Sequence, residues 1–86
     1  MSTSLEEQSP VQLLIAAKLT EALHPSVLEI TVVDASSGKF KVKVVSDAFK
    51  GKATLQRHRA VNGALKEELL NGTIHALEIV ADAPAS

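Results

Sequence analysis

The chain has no cysteine, tryptophan or tyrosine, one methionine and only two aromatic residues, Phe40 and Phe49. Without cysteine there is no disulfide, no thiol nucleophile and no iron–sulfur cluster held by the chain's own thiolates. With two aromatics the core must be aliphatic, and a surface for stacking nucleic-acid bases has nothing to stack on. No run approaches the 18 apolar residues of a membrane-spanning helix. The opening MSTSLEEQSP carries two glutamates and no arginine, unlike a secretory or transit peptide, so the expectation is a cytoplasmic protein, with the nucleus as an alternative, and no membrane partner. There is no glycine-rich phosphate loop, no nucleophile–histidine–acid spacing and no His-x-x-x-His pair, so the expectation is a protein that is not an enzyme.

What remains is an ordinary globular composition of 86 residues, 45% hydrophobic and 22% charged, enough for one small domain over 1–86 with loose ends at 1–8 and 82–86. Net charge is −1, unevenly spread. Lys39, Lys41, Lys43, Lys50, Lys52, Arg57 and Arg59 are seven of the nine basic residues, against the single acid Asp47. Such a run suits an anionic surface, whether an acidic protein or a phosphate backbone.

Ser9-Pro10 reads as a helix entry, and Val11, Ile15, Leu19 and Ala22, flanked by Leu14 and Leu23, form an apolar stripe. His24-Pro25 ends that helix. Val27 to Val33 alternates Leu28, Ile30 and Val32 with Glu29 and Thr31. After the turn Asp34-Ala35-Ser36-Ser37-Gly38, a second strand sets Phe40, Val42 and Val44 against Lys39, Lys41 and Lys43. Two alternating strands joined by a short turn predict an antiparallel hairpin. Ser46 to Phe49 makes one helical turn, closed by Gly51. A long helix then runs from a Thr54 cap to Asn71-Gly72, with Leu55, His58, Val61, Asn62, Leu65 and Leu69 as its inner stripe and Glu67-Glu68 on a solvated face. Ile74 to Val80 is the last strand, with His75 at its start. The order α-β-β-α(short)-α-β predicts an α+β two-layer sandwich: a three-stranded sheet with helices on one face and the strand lysines on the open one.

Three phrases carry a resemblance: Phe49-x-Gly51, then Gln56-Arg57-His58-Arg59 with Val61-Asn62, then Ile74-His75-Ala76-Leu77. From about Val27 to Ala81, and more loosely from Val11, the chain resembles the BolA family. That resemblance implies a KH-like topology of BolA type and a monothiol glutaredoxin as partner. It also implies a [2Fe–2S] cluster shared with that partner and its glutathione. His75 would be the ligand this chain lends, since imidazole can replace thiolate on one iron. The family usually adds a cysteine or histidine from the loop between the first two strands. Here the loop offers only Asp34, Ser36 and Ser37, which would border the cluster. Lys52, Arg57 and Arg59 would contact carboxylates of the partner or of glutathione. His58 reads as a half-buried packing residue and His24 as a loop residue. The free protein is expected to be a monomer. The alternative is a KH-like nucleic-acid-binding regulator using the basic run 39–59, although Gly51-Lys52-Ala53-Thr54 lacks the second glycine of a Gly-x-x-Gly clamp.

Overall fold

The computed structural model describes residues 9–85, so the loose terminus expected at 1–8, and Ser86, lie outside the described residues. The elements are α1 (Pro10–Leu23), β1 (Val27–Asp34), β2 (Lys39–Val45), a 3-10 turn (Asp47–Phe49), α2 (Thr54–Ala64), α3 (Lys66–Leu70) and β3 (Ala76–Asp82). β2 is the central strand, antiparallel to β1 and parallel to β3. No described helix is long and apolar enough to cross a membrane.

Each strand follows its alternation. Phe40, Val42 and Val44 are buried, while Lys39, Lys41 and Lys43 between them are exposed on the open face. Ile15, Leu19 and Leu23 of α1 join them from the covered side with Val61, Leu65, Ile74 and the fully buried Phe49. Leu23 takes the place foreseen for Ala22, which is exposed, so the buried stripe runs Ile15, Leu19 and Leu23 at intervals of four.

α1 begins as expected. Ser9 Oγ accepts the Gln12 N–H at 3.2 Å, and Gln12 Oε1 accepts the Ser9 N–H at 2.9 Å. Gln12 Nε2 also donates to Ile30 O, covering part of the outer edge of β1. His24 closes the helix in the left-handed region, φ 45, and its N–H donates to Thr20 O. Ser46 ties the 3-10 turn to α1, since its buried hydroxyl donates to Leu23 O at 2.5 Å and accepts from Ala48 N–H.

The long helix departs from expectation in three ways. Its cap is Ala53, whose N–H is satisfied by Gln56 Oε1, so Thr54 is the first helical residue and not the cap. It breaks at Leu65 (φ −108, ψ 17) into α2 and α3. Its inner stripe runs through Arg57 and His58, Val61, Ala64 and Leu65 to Glu68, leaving Leu55 and Asn62 exposed. Glu68, read as solvated, is 2% exposed: its Oε2 accepts from Lys18 Nζ at 2.5 Å, an ion pair that lets a carboxylate stay covered. β3 starts two residues later than the Ile74 strand and runs on to Asp82, so the tail begins after that residue.

Candidate functional site

Parallel pairing of β2 with β3 sets Lys39 beside Ala76. The β1–β2 turn and the residue before β3 therefore meet at one end of the sheet, although they are far apart in sequence. The Gly38 carbonyl accepts from His75 N–H at 2.8 Å and from Ala76 N–H at 3.2 Å. Gly38 sits at φ +68, and a Cβ there would lie 3.2 Å from His75 N. Glycine allows that backbone conformation and that approach without strain, whereas a side chain would need His75 to shift by a few tenths of an ångström. Ile74 is buried beside it and acts as an anchor, while His75 itself is exposed. The His75 ring takes part in none of the hydrogen bonds among the described residues. An imidazole so held is fixed at its backbone and free at its nitrogens.

The turn supplies the other groups at this end. Asp34 Oδ1 accepts from the Ser36 hydroxyl at 2.7 Å and from the Ser36 N–H at 3.0 Å. Those bonds hold the Asp34 carboxyl below its ordinary value. The Ser37 hydroxyl lies near enough to assist but makes no hydrogen bond of proper geometry, and it is buried. The turn that carries Asp34, Ser36 and Ser37 thus lies at the His75 end of the sheet, joined to it through Gly38. On the adjoining surface Val33, Lys39, Phe40, Ala76, Leu77 and Glu78 line an open depression. Among the described residues, no group of three or more histidine, aspartate or glutamate side chains is placed to hold a metal ion.

The basic residues lie elsewhere. Arg57 Nη1 donates to Ala81 O at 3.3 Å and its Nε to Lys52 O at 2.9 Å, with Asp82 Oδ1 at 3.9 Å. Its guanidinium is committed to tying α2 to the far end of β3. Ala81 is six residues from His75 along an extended strand, about 20 Å away. Lys52 and Arg59 are exposed near that far end, and the three site arginine and lysine positions are not assembled with His75. The rest of the basic run is spread over several elements. Its three strand lysines are strung along the open face, with Lys41 3.5 Å from Glu78, and Lys50 faces Asp47 at 3.2 Å.

The contact of Gly38 with His75 and the covering of Glu68 were both missed. Gly38 carried a turn signal, but its contact with His75 follows from strand register. Glu68 carried no signal, since its partner Lys18 is 50 residues away.

A model of the family described as BolA-like protein matches residues 19–86. The chain belongs to the BolA family. It is 48% identical over 83 residues to BolA-like protein 1 of Mus musculus, an alignment covering 88% of this chain and 60% of that protein. The chain thus spans about 60% of the length of such curated relatives. Among solved structures, the BolA domain of SufE1 from Arabidopsis thaliana superposes with TM-score 0.82 at 36% identity, covering 90% of this chain and 95% of that one. The solution structure of BolA1 from Mus musculus gives 0.77 at 45% identity, covering 98% and 73%. The BolA order α-β-β-α-α-β is the order found here.

Proposed function

We propose that this BolA-family chain is a non-catalytic adaptor that binds a monothiol glutaredoxin. Through His75 it would ligate a [2Fe–2S] cluster shared with that partner and its glutathione, in iron–sulfur cluster maturation or iron regulation. The observation that carries the reading is the setting of His75: a ring exposed and unengaged, on a backbone pinned at 2.8 Å to Gly38, at a sheet end that a partner can approach.

The donor set fits one ligand position and no more. The chain has no thiolate, the hydroxyls of Ser36 and Ser37 are poor iron ligands, and Asp34 is engaged with Ser36. The remaining thiolates come from the partner and its glutathione, and imidazole ligation raises the potential of such a cluster. When bound, the cluster supplies one-electron chemistry or serves as cargo. The chain's own work is to present one nitrogen at a fixed place. Pinning the backbone before the partner arrives reduces the entropy lost on ligation.

The test is anaerobic assembly of the chain with a monothiol glutaredoxin, glutathione, ferrous iron and sulfide, followed by visible circular dichroism. The expected result is a spectrum distinct from that of the glutaredoxin homodimer, which His75→Ala returns to the homodimer form. A wild-type mixture showing only the homodimer spectrum rejects cluster sharing and leaves at most a metal-free complex.

A further inference from the structure

α3 is five residues long, too short to be stable by itself, so something must dock it to the body of the protein. Leu70 points away, 77% exposed, and Leu69 is only partly covered. Glu68 is the one fully covered side chain of α3. Its Oε2 bonds Lys18 Nζ of α1 at 2.5 Å, Glu67 adds a longer contact at 3.4 Å, and its Oε1 has no partner among the described residues. A covered carboxylate with one oxygen unanswered is an expensive way to dock a helix, and a leucine of similar volume often serves as well or better. The expense makes sense if the pair fixes a position and not merely a contact.

The same residue also makes the next connection in the chain. The Glu68 carbonyl accepts the Ile74 N–H at 3.1 Å, Asn71 Oδ1 accepts the Thr73 N–H at 2.9 Å, and Gly38 then receives His75. Two polar contacts thus lead from Lys18 through Glu68 to Ile74, the residue bonded to His75. We infer that Glu68, docked on Lys18, is a positioning residue that sets the placement of the 71–75 segment and with it the presentation of His75. This rests on His75 being the functional residue. A directional ion pair restricts where α3 can sit along α1, whereas an apolar contact would let it slide.

The test separates placement from stability. Lys18→Met/Glu68→Leu replaces the pair by apolar groups of similar size, and amide hydrogen exchange is read by NMR on the free chain. The expected result is exchange at Ile74 and His75 about tenfold faster relative to Val42 and Val44 of β2 in the same sample, with shifted His75 ring resonances. Lys18→Arg, which keeps the charge, should restore the wild-type ratio. A purely structural pair predicts that all these amides change together, and that outcome overturns the inference. Should the double variant fail to fold, Glu68→Gln carries the same ratio, and an unchanged ratio there is equally decisive. The exchange arm needs no cluster. If His75→Ala leaves the dichroism of the complex intact, the adaptor reading falls while the exchange result still decides the placement.

Discussion

The two ends of β3 are built to opposite plans. At its start, the chain fixes a backbone and leaves the side chain free: Gly38 holds His75 by its N–H, and the ring is exposed. At its end, the chain fixes a side chain to close the backbone: Arg57 spends its guanidinium on the carbonyls of Lys52 and Ala81. Both residues stand in the phrases that mark the family, His75 read there as a cluster ligand and Arg57 as a contact to the partner. The geometry leaves the histidine the freer of the two. A guanidinium already bonded to two carbonyls has less to offer a partner than a ring with neither nitrogen engaged.

The sharpest way to break this comparison is at His75. His75→Ala is expected to remove the heterodimer dichroism completely while changing stability by no more than about 0.5 kcal/mol, as for an exposed residue. A large loss of stability in thermal unfolding would mean that the ring packs, and the first plan would be wrong. Gly38→Ala is the next largest. A left-handed backbone costs a non-glycine residue roughly 1–2 kcal/mol, and the new methyl meets His75 N at 3.2 Å. It should lower the melting temperature and weaken the cluster signal together.

Arg57→Ala tests the other end. It removes two side-chain bonds to carbonyls and is expected to destabilise by about 1 kcal/mol, leaving the dichroism of the reconstituted complex unchanged. Reduced dichroism at full occupancy of folded protein would show that the two ends communicate. The Lys18–Glu68 pair should show in the pH dependence of stability. The hydrogen bond from Lys18 holds the Glu68 carboxyl below its ordinary value of 4.5, covering opposes this, and the bond to Glu68 holds Lys18 above 10.5. A depressed carboxyl stabilises above pH 4.5, and that contribution is lost as pH falls through the lower folded-state value; a raised lysine stabilises below pH 10.5, lost as pH rises through its higher one. The melting-temperature gap between wild type and Glu68→Gln should therefore hold from about pH 5 to 10 and close in stronger acid. A gap that persists unchanged in acid would mean the carboxylate is not what stabilises.

How far the sequence exposed these features depended on whether the cause was local. β2 was plain because Phe40, Val42 and Val44 alternate with three lysines, and a period of two admits one reading. The long helix was harder: Leu55-His58-Asn62-Leu65-Leu69 and Arg57-Val61-Ala64-Glu68 both have helical spacing, and with so few apolar residues neither stripe dominates. The structure takes part of each: His58, Val61 and Leu65 turn inward as expected, while Leu55 and Asn62 give way to Arg57, Ala64 and a Glu68 that Lys18 makes coverable. His75 could be singled out by its phrase, but its separation from Arg57 could not, because it follows from the parallel register of β3 on β2.

That separation yields the smallest effect and the most informative null. Lys52 and Arg59 are exposed, and their side chains take part in no ion pair among the described residues. Lys52→Ala/Arg59→Ala should move stability by less than about 0.5 kcal/mol and leave the His75-dependent dichroism intact, since a screening length at physiological salt is about 8 Å and the ends of β3 lie about 20 Å apart. If the pair instead slows assembly with the glutaredoxin in a salt-dependent way while the final spectrum is unchanged, these residues steer the encounter. If the spectrum itself changes, the partner spans the whole length of β3 and reads both ends at once.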